Sequence, residues 1–420
     1  MSILLAAASA AQGFDVDAAT RAYLDTVQGP ARAESDAYFE GGYWLLLWGA
    51  VVGVLVHWAM LHFGWSAAWS ARARKMARRR WLQPAVYSVP YLLFGTVLAL
   101  PWTIYSGFVR ERQYDLMNLS FGGWAGEQAM GLAIGLILTA IVFVILFAVI
   151  RKAPRSWWLW GTAATGVLLV LMVMVAPLFI APLFNKYEPM AQGPLRDEII
   201  AMAHQEGIPA DNVYVFDASK QTKRISANVS GLGPTIRISL NDNLLNRTTP
   251  DGVKAVMGHE MGHYTLGQVP RLAFYFTLVA MVGLLVLWWA TPRILQRFGR
   301  RWGVIEVSDP AVVPLFAILF TLFGLLATPV LNTIIRLSEA EADAYGIAVS
   351  KAPDGFAGVA MQSSEYRKID PGKWEERLFY DHPSPRSRVR MAMEWKAKHL
   401  GELPPTERGI IVMIPGNAAD

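Results

Sequence analysis

His259, Glu260 and His263 stand in the pentapeptide His-Glu-Met-Gly-His, a spacing that can do chemistry. On an α-helix, side chains four apart lie over one another on one face. The two imidazoles can then grip one small cation while the carboxylate between them reaches a bound water. That is the donor set of a metal-assisted hydrolase, with Glu260 as general base. The chain has no cysteine, so a zinc ion must be held by histidine and carboxylate, and two histidines leave it a protein ligand short of the usual three plus water. Glu339, in Arg-Leu-Ser-Glu-Ala-Glu-Ala-Asp, is the best candidate for the third. Asp343, one turn further on the same face, can accept the free ring N–H of a ligating histidine. A solvated acidic helix end is the bland alternative, and the need of the histidine pair for another ligand tips the balance toward the metal.

The element carrying the pentapeptide should be a helix. Thr249 supplies a capping hydroxyl, Pro250 suits the first helical position, Asp251 complements the positive helix end, and no breaker follows until Pro270. Gly258 and Gly262 weaken such a helix unless another backbone approaches closely there, so they read as packing residues. Upstream, residues 194–208 have helical periodicity, while 212–219 and 235–241 read as strands.

The surroundings are a membrane. With 54% hydrophobic and only 17% charged residues, the chain of 420 residues is too apolar for an ordinary soluble protein. Apolar runs near the length of a spanning helix lie at about 43–63, 87–108, 129–150, 157–180, 272–290 and 312–335. The fold class is therefore mainly α: a polytopic bundle of about six spans with a small α+β zinc-metallopeptidase domain built from discontinuous segments. The expected division is an N-terminal segment 1–38, four spans in 39–180, a first peptidase part 181–270, two spans in 271–335 and a second peptidase part 336–420. Residues 1–12 are apolar but lack a basic start, and read as weakly signal-like or interfacial.

Arg72, Arg74, Lys75, Arg78, Arg79 and Arg80 crowd the first loop. A cluster of this kind invites a nucleic-acid reading, but beside a span it is better explained as a cytoplasmic anchor on anionic lipid, and no nucleic-acid partner is expected. Alternation puts Arg151, Lys152 and Arg155 on that side, with Arg293, Arg297, Arg300 and Arg301. The loop of Arg110, Glu111, Arg112 and Asp115 is charge-balanced and falls on the other side. Both peptidase parts then face away from the cytoplasm, and the location is read as a bacterial inner membrane.

The HExxH helix, the later Glu339-x-x-x-Asp343 with Arg336 three residues before it, and the ordered stretches 181–189, 226–233 and 381–389 together resemble the type 1 CAAX prenyl protease family of integral-membrane zinc metallopeptidases. The likeness runs from about Tyr87 to Val389. It implies one zinc ion per chain on His259, His263 and Glu339, with Glu260 as base, as the chemistry suggests. It adds Asn228 on a sheet edge that pairs with an extended substrate, and His382 and Arg388 near the scissile carbonyl. Bland roles for these are a turn residue, a loop residue and a surface charge. Eukaryotic members have seven spans, of which the first lacks a counterpart here, and they process prenylated proteins from the cytoplasmic side. The partners implied are the bilayer and a peptide or protein substrate, lipidated or not. A metal-conducting transporter or scaffold is the rival reading; no inverted repeat supports it, and a transporter needs no strand beside its metal. His57, His62, His204 and His399 belong to no motif.

Overall fold

The computed structural model describes residues 14–231 and 236–412. The signal-like reading of 1–12 and the first residue of the strand expected at 235–241 lie outside the described residues.

Six helices among them are long and apolar enough to cross a membrane: Gly29–His62, Gln83–Gln113, Phe121–Lys152, Trp157–Leu183, Gln268–Trp302 and Pro310–Ser350. Five contain their expected spans and overrun them; the first starts well before its expected span and stops at His62, one residue short of its expected end. A helix satisfies its backbone internally, so it need not stop where apolar residues give way to polar ones. The overrun matters most in the sixth, where Val313–Ser350 is one continuous helix that carries the apolar stretch and, beyond it, Glu339 and Asp343. The soluble part expected to begin at 336 is thus a rigid extension of a span. Prolines shape two others: a wide π turn at Tyr105–Val109 follows Pro101, and another at Ala176–Ile180 contains Pro177. Large apolar side chains such as Leu55, Val97, Ile137, Val167, Phe274 and Leu326 point outward, as a lipid-facing surface requires.

The basic loops gather at one end of the bundle. Arg74 pairs with Asp309 at 2.9 Å, and Arg151 donates to the Arg80 and Ser308 carbonyls at 2.9 and 3.3 Å. The fifth helix starts beside the HExxH pentapeptide and ends near this basic face, about 50 Å away at 1.5 Å per residue. The charge-balanced loop lies at the other end, where Glu111 pairs with Arg224 at 2.8 Å.

A four-stranded sheet lies at that far end: β1 Tyr187–Pro189, β2 Val213–Phe216, β3 Ala227–Ser230 and β4 Arg237–Asn241, in the order β1-β2-β4-β3. β2 and β4 are parallel; the outer pairs are antiparallel, with Asn228 opposite Ser239. The two strands read from alternation are the inner ones. β1 was not legible, because three residues at an edge leave no alternation to read.

The HExxH helix is Pro250–Thr265, with the Thr249 hydroxyl accepting from Gly252 N–H at 3.1 Å. It stops short of Pro270 because Gly267 turns the chain at φ +61° and Gln268 opens the fifth span. Val253, Met257 and Met261, four apart, form one stripe against Ile238 and Leu240 of the sheet and against Ile199 and Ala203 of the helix Pro194–Gln205. The glycine face meets the sixth helix. A Cβ on Gly258 would lie 2.8 Å from the Gly346 carbonyl oxygen, and one on Gly346 would lie 2.6 Å from the His259 amide nitrogen. Both partners are backbone, so no rotamer change relieves the clash. Gly346→Ala should therefore cost about 1–3 kcal/mol and lower bound zinc, read by thermal unfolding and metal content. Gly324→Ala on the same helix, where a Cβ meets nothing within 4 Å, is the control. Equal behaviour of the two variants would contradict the close-packing argument.

Of the segment 1–38, Val16–Leu24 forms a helix packed on the C-terminal helix Pro385–His399, and the first span begins at Gly29. A buried Lys396–Asp354 ion pair, with the Tyr23 hydroxyl on Asp354, ties this helix to the body of the domain.

Candidate metal centre

Three side chains from two helices converge. His259 and His263 project one turn apart from the HExxH helix. Their Nε2 atoms are 3.1 Å from each other. Glu339 arrives from the sixth helix, with Oε2 at 3.3 Å from His259 Nε2 and Oε1 at 3.6 Å from His263 Nε2. Each ring's other nitrogen faces an acceptor. Asp343 Oδ1 is 2.8 Å from His259 Nδ1 in a bent contact rather than a straight hydrogen bond. Gln268 Oε1 is 2.7 Å from His263 Nδ1, and the fully buried Gln268 is itself fixed by donating to the Ser338 carbonyl at 2.9 Å. With the ring protons drawn to Nδ1, both Nε2 lone pairs point at the same spot.

Two lone pairs and a carboxylate turned on one another repel unless a cation lies between them. Ligands about 2.0–2.1 Å from a tetrahedral zinc stand roughly 3.4 Å apart, and the observed separations bracket that value. Glu339 Oε2 is buried and makes no hydrogen bond, an orphan that a metal would satisfy. The donors therefore fit a zinc ion. Glu341, two residues on, points away and pairs with Arg271.

Glu260 lies on the next helical position, with a carboxyl oxygen within 4.8 Å of one ring nitrogen of each histidine, and lines a cavity of about 180 Å³. Desolvation lifts its carboxyl to about 7, helped by Glu339 and opposed by His259 and Arg388. Ser226, Ala227, His259, Tyr366, Arg367, His382 and Arg388 share that cavity. His382 sits in the loop before the C-terminal helix, with Nε2 at 3.3 Å from Glu339 Oε2 and Nδ1 at 2.9 Å from Asp381. Arg336 steadies this loop by donating to the Glu376 carbonyl at 2.9 Å and the Tyr380 carbonyl at 2.5 Å.

Arg388 is half-buried and grips Asp343 twice, Nε to Oδ2 at 2.9 Å and Nη2 to Oδ1 at 2.6 Å. Asp343 thus bridges Arg388 to His259. Asn228 lies on β3, the sheet edge beside the HExxH helix, next to the cavity-lining Ala227. Its buried Oδ1 has no hydrogen-bond partner among the described residues. All eight residues singled out from the sequence meet at this end of the bundle. Gln268 escaped the reading; its signal is a lone amide at the mouth of an apolar span, five residues after His263. Arg367 also escaped, for no pattern distinguishes it from a surface charge.

Residues 25–186 match the family profile described as the CAAX prenyl protease N-terminal region of five membrane helices, and residues 189–396 match peptidase family M48. An uncharacterized metalloprotease, YhfN, of Bacillus subtilis is 27% identical over 74% of each chain. CAAX prenyl protease 1 of Saccharomyces cerevisiae is 28% identical over 60% of this chain and 58% of its own length. The human homologue of that protease is 23% identical over 72% of this chain and 71% of its own. The crystal structure of S. mikatae Ste24p has the same fold, with a TM-score of 0.73 at 19% identity, covering 93% of this chain and 96% of that one.

Proposed function

Since the chain belongs to peptidase family M48 and joins a CAAX prenyl protease membrane region to it, making it a membrane metalloprotease, we propose that it is a zinc endopeptidase. The observation that carries this reading is the convergence of His259, His263 and Glu339 on one point beside Glu260. When bound there, zinc supplies the Lewis acidity that polarises a peptide carbonyl and makes water a nucleophile near neutral pH.

The chain's own residues do the rest. Glu260 takes the proton of the attacking water and returns it to the leaving amine, a shuttle its place beside the two histidines and in the cavity wall allows. His382 stands where it can support the developing oxyanion, oriented by Asp381. Asp343 and Gln268 hold the two histidine rings in their ligating orientation. Arg388 acts on the same centre through Asp343 and borders the substrate cavity. β3 offers an open edge to an extended peptide, with the unpartnered Asn228 Oδ1 available to it. The peptidase domain is read as 181–270 joined to 336–420, the membrane part as 39–180 and 271–335.

Positive loops on the cytoplasmic side would set the active end outside. The Bacillus subtilis relative supports a bacterial membrane as the location. The substrate is a peptide or protein, and the names of the relatives make a prenylated one worth testing. Purified enzyme should hold one zinc per chain and cleave a farnesylated peptide faster than its unprenylated counterpart. Equal rates would remove the prenyl requirement and leave the peptidase; no zinc and no cleavage would remove both.

A further inference from the structure

We propose that Arg367 is the residue that receives a carboxylate of the bound peptide, and so sets a preference for acidic or carboxy-terminal substrate segments. This rests on the peptidase reading of the cavity. Arg367 lines the same cavity as Glu260 and His382. The other cations around it are engaged: Arg388 with Asp343, Lys368 with Glu40 and Glu375, Arg224 with Glu111. His382 faces Asp381 on one side and Glu339 on the other. Among the described residues the Arg367 guanidinium makes no hydrogen bond and no ion pair, and only its backbone carbonyl is used, by the Ser35 hydroxyl at 3.1 Å. Asp381 lies within electrostatic reach, but His382 already occupies it at 2.9 Å.

A half-buried guanidinium with no hydrogen-bonded anion recovers little for the hydration it gives up, unless an anion arrives with the ligand. Its planar fork of donors matches the two oxygens of a carboxylate. A peptide offers that group from two sources, its C-terminus or an Asp or Glu side chain.

The test measures kcat/KM of wild type and Arg367→Gln on three peptides of otherwise equal sequence: free C-terminus, C-terminal amide, and amide with one internal Gln replaced by Glu. Binding of the same peptides to the Glu260→Gln protein is measured in parallel, with and without Arg367→Gln. Wild type should prefer one carboxylate peptide over the plain amide by about tenfold or more, the range of a charge-assisted hydrogen bond. Which peptide is preferred identifies the source. Arg367→Gln should erase that ratio. A ratio near one in wild type, or a ratio that survives the substitution, overturns the proposal, as does an equal loss on all three peptides. Arg367-dependent binding of a carboxylate peptide without cleavage by the Glu260-intact protein would overturn the peptidase reading and leave this assignment standing.

Discussion

Glu260→Gln keeps its zinc and loses peptide cleavage by at least about 10³-fold, within the range that general acid–base catalysis contributes. Glutamine has the shape of glutamate, so the cavity wall and the packing of the HExxH helix stay as they are. The three converging donors, His259, His263 and Glu339, are untouched. What is lost is the one group beside them that can take a proton from water and give it back. Metal content and turnover of one preparation decide the matter. Turnover within tenfold of wild type would sink the assignment of Glu260 as base, and loss of zinc would show that it acts as a ligand instead.

Glu339→Ala should abolish both zinc retention and cleavage. Of the three converging donors it removes the one that comes from outside the HExxH helix, and the expected fall in zinc affinity exceeds the ~10–100-fold typical of groups that merely orient a ligand. The same change unburdens His382, whose Nε2 faces Glu339 at 3.3 Å, so the oxyanion side of the site is disturbed too. Glu341→Gln is the natural comparison. It lies on the same helix as Glu339, but its carboxylate faces Arg271 and Gln268 of the fifth span, and zinc should stay bound. Competition with a chromogenic chelator measures both affinities. Matching affinities for the two variants would mean that the third ligand lies elsewhere.

Much of the site was legible because its parts obey local rules. The spacing of His259 and His263, the Thr249 cap and the small residues at 258 and 262 are statements about one helix, and helical geometry translates them directly. The six spans followed from apolar length alone. Asp343 could be paired with a ligating histidine from its one-turn distance to Glu339, though the identity of that histidine, His259, could not. The helix end at Thr265 was missed because Gly267 was overlooked as a stop and Pro270 credited instead, although proline is tolerated in the first turn of the next helix.

The sequence by itself determined the chemistry and the medium: two imidazoles and a carboxylate on one helix face, no thiolate to compete, and enough apolar length for six crossings. Only the tertiary structure decided that Glu339 reaches the same point as the histidines. That depends on the sixth span continuing unbroken past the apolar stretch, and on Gly258 and Gly346 letting two backbones touch. It also decided that Gln268 rather than a carboxylate steadies His263, that Arg388 is spent on Asp343, and that the Arg367 guanidinium has no hydrogen-bond partner among the described residues. Periodicity describes how one segment presents its faces. Which face of another segment arrives opposite is settled by close packing between separate elements of the chain, and that information is carried by no single stretch of it.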